Sequence, residues 1–121
     1  MEDHRIGVSM DVEKLTEERI ATEDELREIK RTIDAIDRKL GRCERRHGRL
    51  ARKLVRVQFE QRRGQQSRWL SRRLRRLERK RQALLNHEME LRWQYSSIAR
   101  RRTILRQNLK RVNNQLYGAS R

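Results

Sequence analysis

The sequence contains no proline, one cysteine and five glycines, and aromatic residues make up only 4% of it. Proline and glycine usually mark loops and the turns of all-β folds, so their scarcity disfavours such folds. A single cysteine cannot form an intramolecular disulfide and is compatible with a reducing compartment. No apolar run approaches the ~20 residues of a transmembrane helix, and the acidic segment 1–18 lacks the cationic and apolar regions of a signal peptide. We therefore expect a soluble intracellular protein, cytoplasmic or nuclear.

The composition that remains favours helix and an elongated fold. Charged residues make up 41% of the 121 residues and hydrophobic residues only 34%, which is little for a compact globular core. Leu, Arg, Glu, Gln and Lys, which dominate the sequence, are good helix formers. The composition therefore predicts an all-α protein.

Apolar residues recur with a 3,4 spacing in both halves of the chain, which is the pattern of a coiled-coil seam. Three seam positions of the second half hold Arg81, Glu88 and Arg102, which we expect to specify register and partner at a cost in stability. The first seam comprises Leu26, Ile29, Ile33, Ile36, Leu40, Cys43, His47, Leu50, Leu54 and Val57. The second comprises Leu70, Leu74, Leu77, Leu84, Leu91, Tyr95, Ile98, Leu105, Leu109, Val112 and Leu116.

The two registers differ by one residue, and the slip falls within residues 62–67. Gly64 is suited to the left-handed position after a helix, and Ser67 is suited to cap the next one. We predict a long antiparallel helical hairpin, a two-helix coiled coil, with the turn there. A single continuous rod that dimerises in parallel is the alternative. The predicted bounds are a tail over 1–8, helix 1 over about 9–63, a turn over about 63–67, helix 2 over about 68–117 and a tail over 118–121.

Charge is distributed as an antiparallel hairpin requires. Residues 1–37 hold twelve acids and six bases, whereas residues 91–121 hold eight bases and no acid. Folding at the turn brings these two ends together. The same register predicts cross-helix pairs of Asp37 with Arg92, Glu23 with Arg106 and Glu60 with Arg73, which select register more than they stabilise. It also places Lys53 opposite Lys80, a like-charge conflict.

Arginines form a stripe on the face opposite the first seam. The net charge is +16, and the 33 basic residues are 27 Arg and 6 Lys, a bias toward the side chain that binds phosphate or carboxylate in bidentate fashion. Like charges at this spacing repel one another along a helix, and a bound polyanion relieves that repulsion. The candidate nucleic-acid-binding residues are Arg38, Arg42, Arg45, Arg49, Arg52, Arg56 and Arg63 on helix 1, and Arg72, Arg76 and Arg79 on helix 2.

Four of the apolar residues that lie off the seam are candidates for an oligomer or partner interface. They are Phe59, Trp69, Leu85 and Trp93. Mutual burial in a homodimer would make a four-helix bundle, and stacking on unpaired bases is the other use of exposed aromatic rings.

Motifs of catalysis and cofactor binding are missing from the sequence. It has no phosphate loop, nucleophile elbow, paired carboxylates or zinc-finger spacing. Cys43 and His47 are spaced as two metal ligands, but two of the four that zinc needs make a weak signal. We expect no enzymatic activity, cofactor, metal or small-molecule substrate.

Two partner classes fit these features. The first is nucleic acid, with RNA, double-stranded RNA or a ribonucleoprotein favoured, bound through its backbone without sequence preference. The second is an acidic protein surface. Through its two uninterrupted arms the chain resembles the stalk proteins of flagellar and type III secretion export ATPases, and that resemblance implies a coiled-coil adaptor that contacts an ATPase ring or another large assembly.

Overall fold

The protein is an all-α helical hairpin of two long helices packed against each other, as the sequence predicts. A computed structural model describes residues 2–64 and 67–119, with side chains described over 11–64 and 67–118. Helix α1 spans Glu2–Arg62 and helix α2 spans Arg68–Ala119. None of the helical segments described is both long and apolar enough to cross a lipid bilayer.

The helix ends differ from the predicted bounds mainly at the amino terminus. Helix α1 begins at Glu2, whereas the sequence predicted a tail over residues 1–8. The early start has a physical reason, because the first residues include no proline and the acidic Glu2 and Asp3 are favourable at the positive end of a helix dipole. Helix α2 continues through Gly118 to Ala119, so it enters the predicted tail over 118–121, whose last two residues lie outside the described part.

The turn between the helices uses the two residues that the sequence singled out. Gly64 has a φ of 83°, a left-handed conformation that suits glycine, and its N–H donates to the Gln61 carbonyl at 3.1 Å. The Ser67 hydroxyl accepts a hydrogen bond from the Leu70 N–H at 3.1 Å and so caps the first turn of α2. Both predictions are confirmed, while residues 65 and 66 of the turn lie outside the described part.

The chain divides into two compact units, and unit 1 joins residues 1–34 to residues 96–121. Its core follows the predicted seam, with Ile29, Ile33, Leu105 and Val112 buried. Two ion pairs link the helices within this unit: Glu25 with Arg101 at 3.0 Å and Glu18 with Arg111 at 2.9 Å. Both are exposed, so each contributes at most about 1 kcal/mol to stability.

Unit 2 comprises residues 35–95 and contains the turn. Next to the turn Leu54, Val57, Leu70 and Leu77 form a buried cluster, against which Leu50 and Leu74 pack. Farther from the turn the seam continues as predicted, with further buried residues at Ile36, Cys43, Leu84 and Leu91.

The cross-helix charge pairs predicted from the register are not formed among the described residues. Arg92 pairs with Glu88 on its own helix at 2.7 Å rather than with Asp37. The predicted pairs of Glu23 with Arg106 and of Glu60 with Arg73 are likewise absent from the ion pairs of the described chain. Long arginine side chains reach several acceptors at similar cost. Periodicity therefore predicts contacts between apolar seam residues more reliably than it predicts ion pairs.

Candidate nucleic-acid interface

The seven arginines predicted on helix 1 lie in unit 2 and form one exposed row, which we call the arginine stripe: Arg38, Arg42, Arg45, Arg49, Arg52, Arg56 and Arg63. The spacing of three and four residues keeps them on one face of α1 over ~38 Å, at 1.5 Å per residue. The ion pairs formed by described residues include none of these seven. Arg52 donates to the Gly48 carbonyl at 3.3 Å and Arg63 lies over the Phe59 ring, but no acidic side chain of the described residues pairs with any of the seven.

The charge of the protein is concentrated in unit 2. Residues 35–95 hold twenty basic and six acidic residues, a net charge of +14. The residues of unit 1 hold thirteen basic and eleven acidic residues, a net charge of +2. Nearly all of the net charge of +16 thus belongs to the unit that carries the stripe.

The three candidate arginines on α2 are also exposed, but the structure separates them. Arg72 and Arg76 line a hollow of about 320 Å³ together with Lys53, Lys80, Arg73, Leu77 and Trp69. Arg79 is not among the residues that line it. The structure thus places two of the three next to cations and an aromatic ring that sequence reasoning had not joined to them.

A second hollow adjoins the first and shares Lys53 and Lys80 with it. It has a volume of about 420 Å³ and is lined by Arg46, Arg49, Leu50, Lys53, Lys80, Ala83, Leu84 and His87. We call the two hollows together the basic groove. None of the described residues that line it is acidic, and none of its lysines or arginines takes part in an ion pair of the described chain. Arg49 belongs to both the stripe and the groove.

The sequence carried one signal of this groove. Lys53 and Lys80 face each other across the seam in the predicted register, a like-charge pair that costs stability. Four residues were missed as site residues because they flank the seam, where charged residues usually form salt bridges between the helices. They are Arg46, Lys53, Arg73 and Lys80. Their grouping depends on both helices at once, which a pattern read along one helix does not show.

The four candidate interface residues are not gathered into one patch. Trp69 is 61% exposed and lines the basic groove, with the Arg73 guanidinium 5.4 Å from its ring centroid. Phe59 is 55% exposed and has the Arg63 guanidinium 4.9 Å from its ring centroid. Trp93 is 71% exposed and lines neither hollow, and Leu85 is half-buried. The homodimer and its four-helix bundle stay a prediction.

The polar seam residues His47 and Glu88 form a hydrogen-bonded pair within unit 2. His47 Nε2 lies 2.8 Å from Glu88 Oε2, while Arg92 donates to Glu88 Oε1 at 2.7 Å. The hydrogen bond from Arg92 is the main cause that holds the pKa of Glu88 below its usual value of 4.5, and partial desolvation opposes it. In the described part of the chain, no three His, Cys, Asp or Glu side chains are grouped closely enough to hold a metal ion.

Fold and site together define a strongly basic all-α hairpin whose net positive charge belongs almost entirely to unit 2. Comparisons with protein-family models, with curated proteins and with solved structures found no match to this chain. The functional argument therefore depends on the residues themselves.

Proposed function

We propose that the protein is a non-enzymatic RNA-binding protein that holds the phosphate backbone through the arginine stripe, largely without regard to sequence. The observation that carries this proposal is the row of seven exposed arginines, none of which pairs with an acid in the part of the chain that the structure describes. Each arginine presents a planar donor set that matches phosphate geometry. Six of them are continuous at helical spacing before Phe59 interrupts the row ahead of Arg63.

The electrostatics of the stripe supply the driving force. Arginines three and four residues apart on one helix face repel one another, so the unbound stripe destabilises its own helix by up to about 0.5 kcal/mol per pair. Phosphates neutralise that charge, and the release of their condensed counterions favours binding. Because a smooth helix face carries no loop that reads base edges, the contact positions the protein on the backbone and does not select sequence.

RNA is preferred over DNA on grounds of shape. The deep, narrow major groove of A-form RNA does not admit side chains that read bases, so double-stranded RNA is bound mostly through its phosphates and its 2′-hydroxyls. A straight row of guanidinium groups suits that mode.

A charge-reversal experiment with a matched control tests the proposal. The triple variant Arg45→Glu, Arg49→Glu, Arg52→Glu lowers the net charge by six in the stripe. The control Arg31→Glu, Arg100→Glu, Arg106→Glu lowers it equally at exposed arginines of unit 1. Fluorescence anisotropy with a labelled RNA at constant salt should show roughly 100-fold or greater weakening for the stripe variant. Weakening should be several-fold smaller for the control.

Two results would count against the proposal. Equal affinity of the stripe variant and the parent would show that the stripe does not contact RNA. Equal weakening in both variants would show that only total charge matters.

The alternative is a coiled-coil adaptor of a secretion ATPase or another large assembly, with the basic unit facing an acidic protein surface. The uninterrupted hairpin and the exposed Phe59 and Trp93 favour this second candidate. Purification before and after nuclease at high salt separates the two. A bound partner that persists after nuclease treatment is a protein. A high ratio of nucleic-acid to protein absorbance that nuclease abolishes shows that the partner is nucleic acid.

A further inference from the structure

The basic groove differs from the arginine stripe in having apolar and aromatic residues in its lining. Leu50, Leu77, Ala83 and Leu84 line it together with the cations, and Trp69 lines one of its two hollows. A surface built only to hold phosphates would need no apolar lining. The combination of cations with an exposed indole is what proteins use to bind an unpaired strand, where phosphates follow the basic groove and bases stack on aromatic rings.

Like charge on both sides of the groove points to an anion between them. Lys53 and Lys80 belong to different helices and line both hollows, and neither pairs with an acid of the described chain. Arg46 and Arg49 flank them in one hollow, and Arg73 flanks them in the other. A phosphodiester lying between the two lysines would be contacted from both helices.

The indole of Trp69 is placed for stacking. The ring is 61% exposed, and the Arg73 guanidinium lies 5.4 Å from its centroid. In a duplex the bases are stacked on one another and do not reach a side chain beside the backbone, so an exposed indole gains nothing from paired RNA. An unpaired base gains a stacking surface and a neighbouring cation.

We propose that the basic groove of unit 2 binds a single-stranded RNA segment, with one base stacked on Trp69 and its phosphates lying between Lys53 and Lys80. This inference rests on the proposed RNA-binding function and adds to it a preference for unpaired strands. From Trp69 to His87 the groove follows α2 for ~27 Å at helical rise. That length holds roughly four to eight nucleotides if phosphates are spaced between about 3.4 Å, as in a stacked strand, and twice that distance.

The test compares Trp69→Ala with a matched control, Trp93→Ala. Both tryptophans are exposed and belong to unit 2, but Trp93 does not line the groove. The probes are a fluorescein-labelled 12-nucleotide oligouridine and a 12-base-pair RNA duplex. Trp69→Ala should weaken oligouridine binding about five- to 150-fold, the range that loss of one stacked base gives. Duplex binding by Trp69→Ala, and both affinities of Trp93→Ala, should stay within about twofold of the parent.

A second readout reports on the indole directly. In a Trp93→Phe variant the remaining indole is that of Trp69, because the sequence has two tryptophans. Saturating oligouridine should quench its fluorescence, and the duplex should leave it nearly unchanged. Circular dichroism of Trp69→Ala should match the parent, since the replaced side chain is largely exposed.

The outcomes separate this inference from the proposed function. If the parent binds the duplex and Trp69→Ala weakens neither probe, or weakens both equally, the groove does not select unpaired strands and only this inference fails. If the parent binds neither probe at low salt, the proposed function fails with it.

Discussion

Arg102 offers a quantitative test of how the seam is stabilised. Its side chain is half-buried on α2 in unit 1, and its Nε is a buried donor without a hydrogen-bond partner among the described residues. It occupies a seam position between Ile98 and Leu105, where the coiled-coil pattern calls for an apolar residue. We expect Arg102→Leu to stabilise the protein.

The magnitude follows from the contact that is missing. A buried donor left without a partner costs about 1–3 kcal/mol, and leucine removes that cost while keeping apolar contact in place of the arginine stem. The free energy of unfolding should therefore rise by about 1–3 kcal/mol. The midpoint of thermal unfolding should rise by about 4 °C for each kcal/mol in a chain of this size.

Urea unfolding followed by circular dichroism at 222 nm measures the effect, with an unchanged m-value showing that the midpoint shift reports stability. Glu88→Leu is the matched control, because Glu88 holds an equivalent seam position but is bound by His47 and Arg92. Its loss leaves His47 and Arg92 without their shared partner, so we expect it to lower the midpoint. If Arg102→Leu destabilises the protein, or if both variants shift the midpoint in the same direction, the presence of a hydrogen-bond partner does not decide stability at these positions.

Three further predictions follow from single contacts. Because hydrogen bonding to Arg92 lowers the folded-state pKa of Glu88, the parent should be more stable than Glu88→Gln at neutral pH. That difference should shrink as pH falls below 4.5, the usual value, and a constant difference from pH 7 to pH 3 in urea titrations would contradict it. Ser67→Ala removes the cap on the Leu70 N–H and should lower the free energy of unfolding by about 0.5–2 kcal/mol, whereas no change would show that the cap is dispensable. Cys43 is only 3% exposed, so a thiol reagent should label it slowly in the folded protein and rapidly in urea, and equal rates would indicate an open seam.

The fold could be predicted well from the sequence, because burial of one helix face imposes a 3,4 spacing on the apolar residues. The 3,4 spacing identified Ile33, Leu54, Leu84 and Val112 as seam residues, and each is buried. The turn was predictable for a second reason, since a left-handed glycine and a capping serine have local signatures that need no tertiary context.

The candidate site was predicted only in part. Sequence spacing located the arginine stripe, because it lies on one helix and obeys the helical period. The basic groove depends on how the two helices juxtapose residues that flank the seam. The register placed Lys53 opposite Lys80, but it did not show that Arg46 and Trp69 line the same groove. Trp69 was assigned to an apolar interface, yet it lies among arginines. Spacing left this open, because a residue one position before the seam can lie beside the groove or on the outer face.

The salt dependence of RNA affinity tests the central claim most directly. If the stripe neutralises about five phosphates of an RNA duplex, the slope of log K against log salt should be about −4.5, and the Arg45, Arg49, Arg52 charge-reversal variant should flatten it by about 2.7. Anisotropy titrations of a labelled RNA duplex between 50 mM and 300 mM salt give both slopes. A parent slope between 0 and −1, or the same slope in parent and variant, would contradict binding of RNA through these arginines.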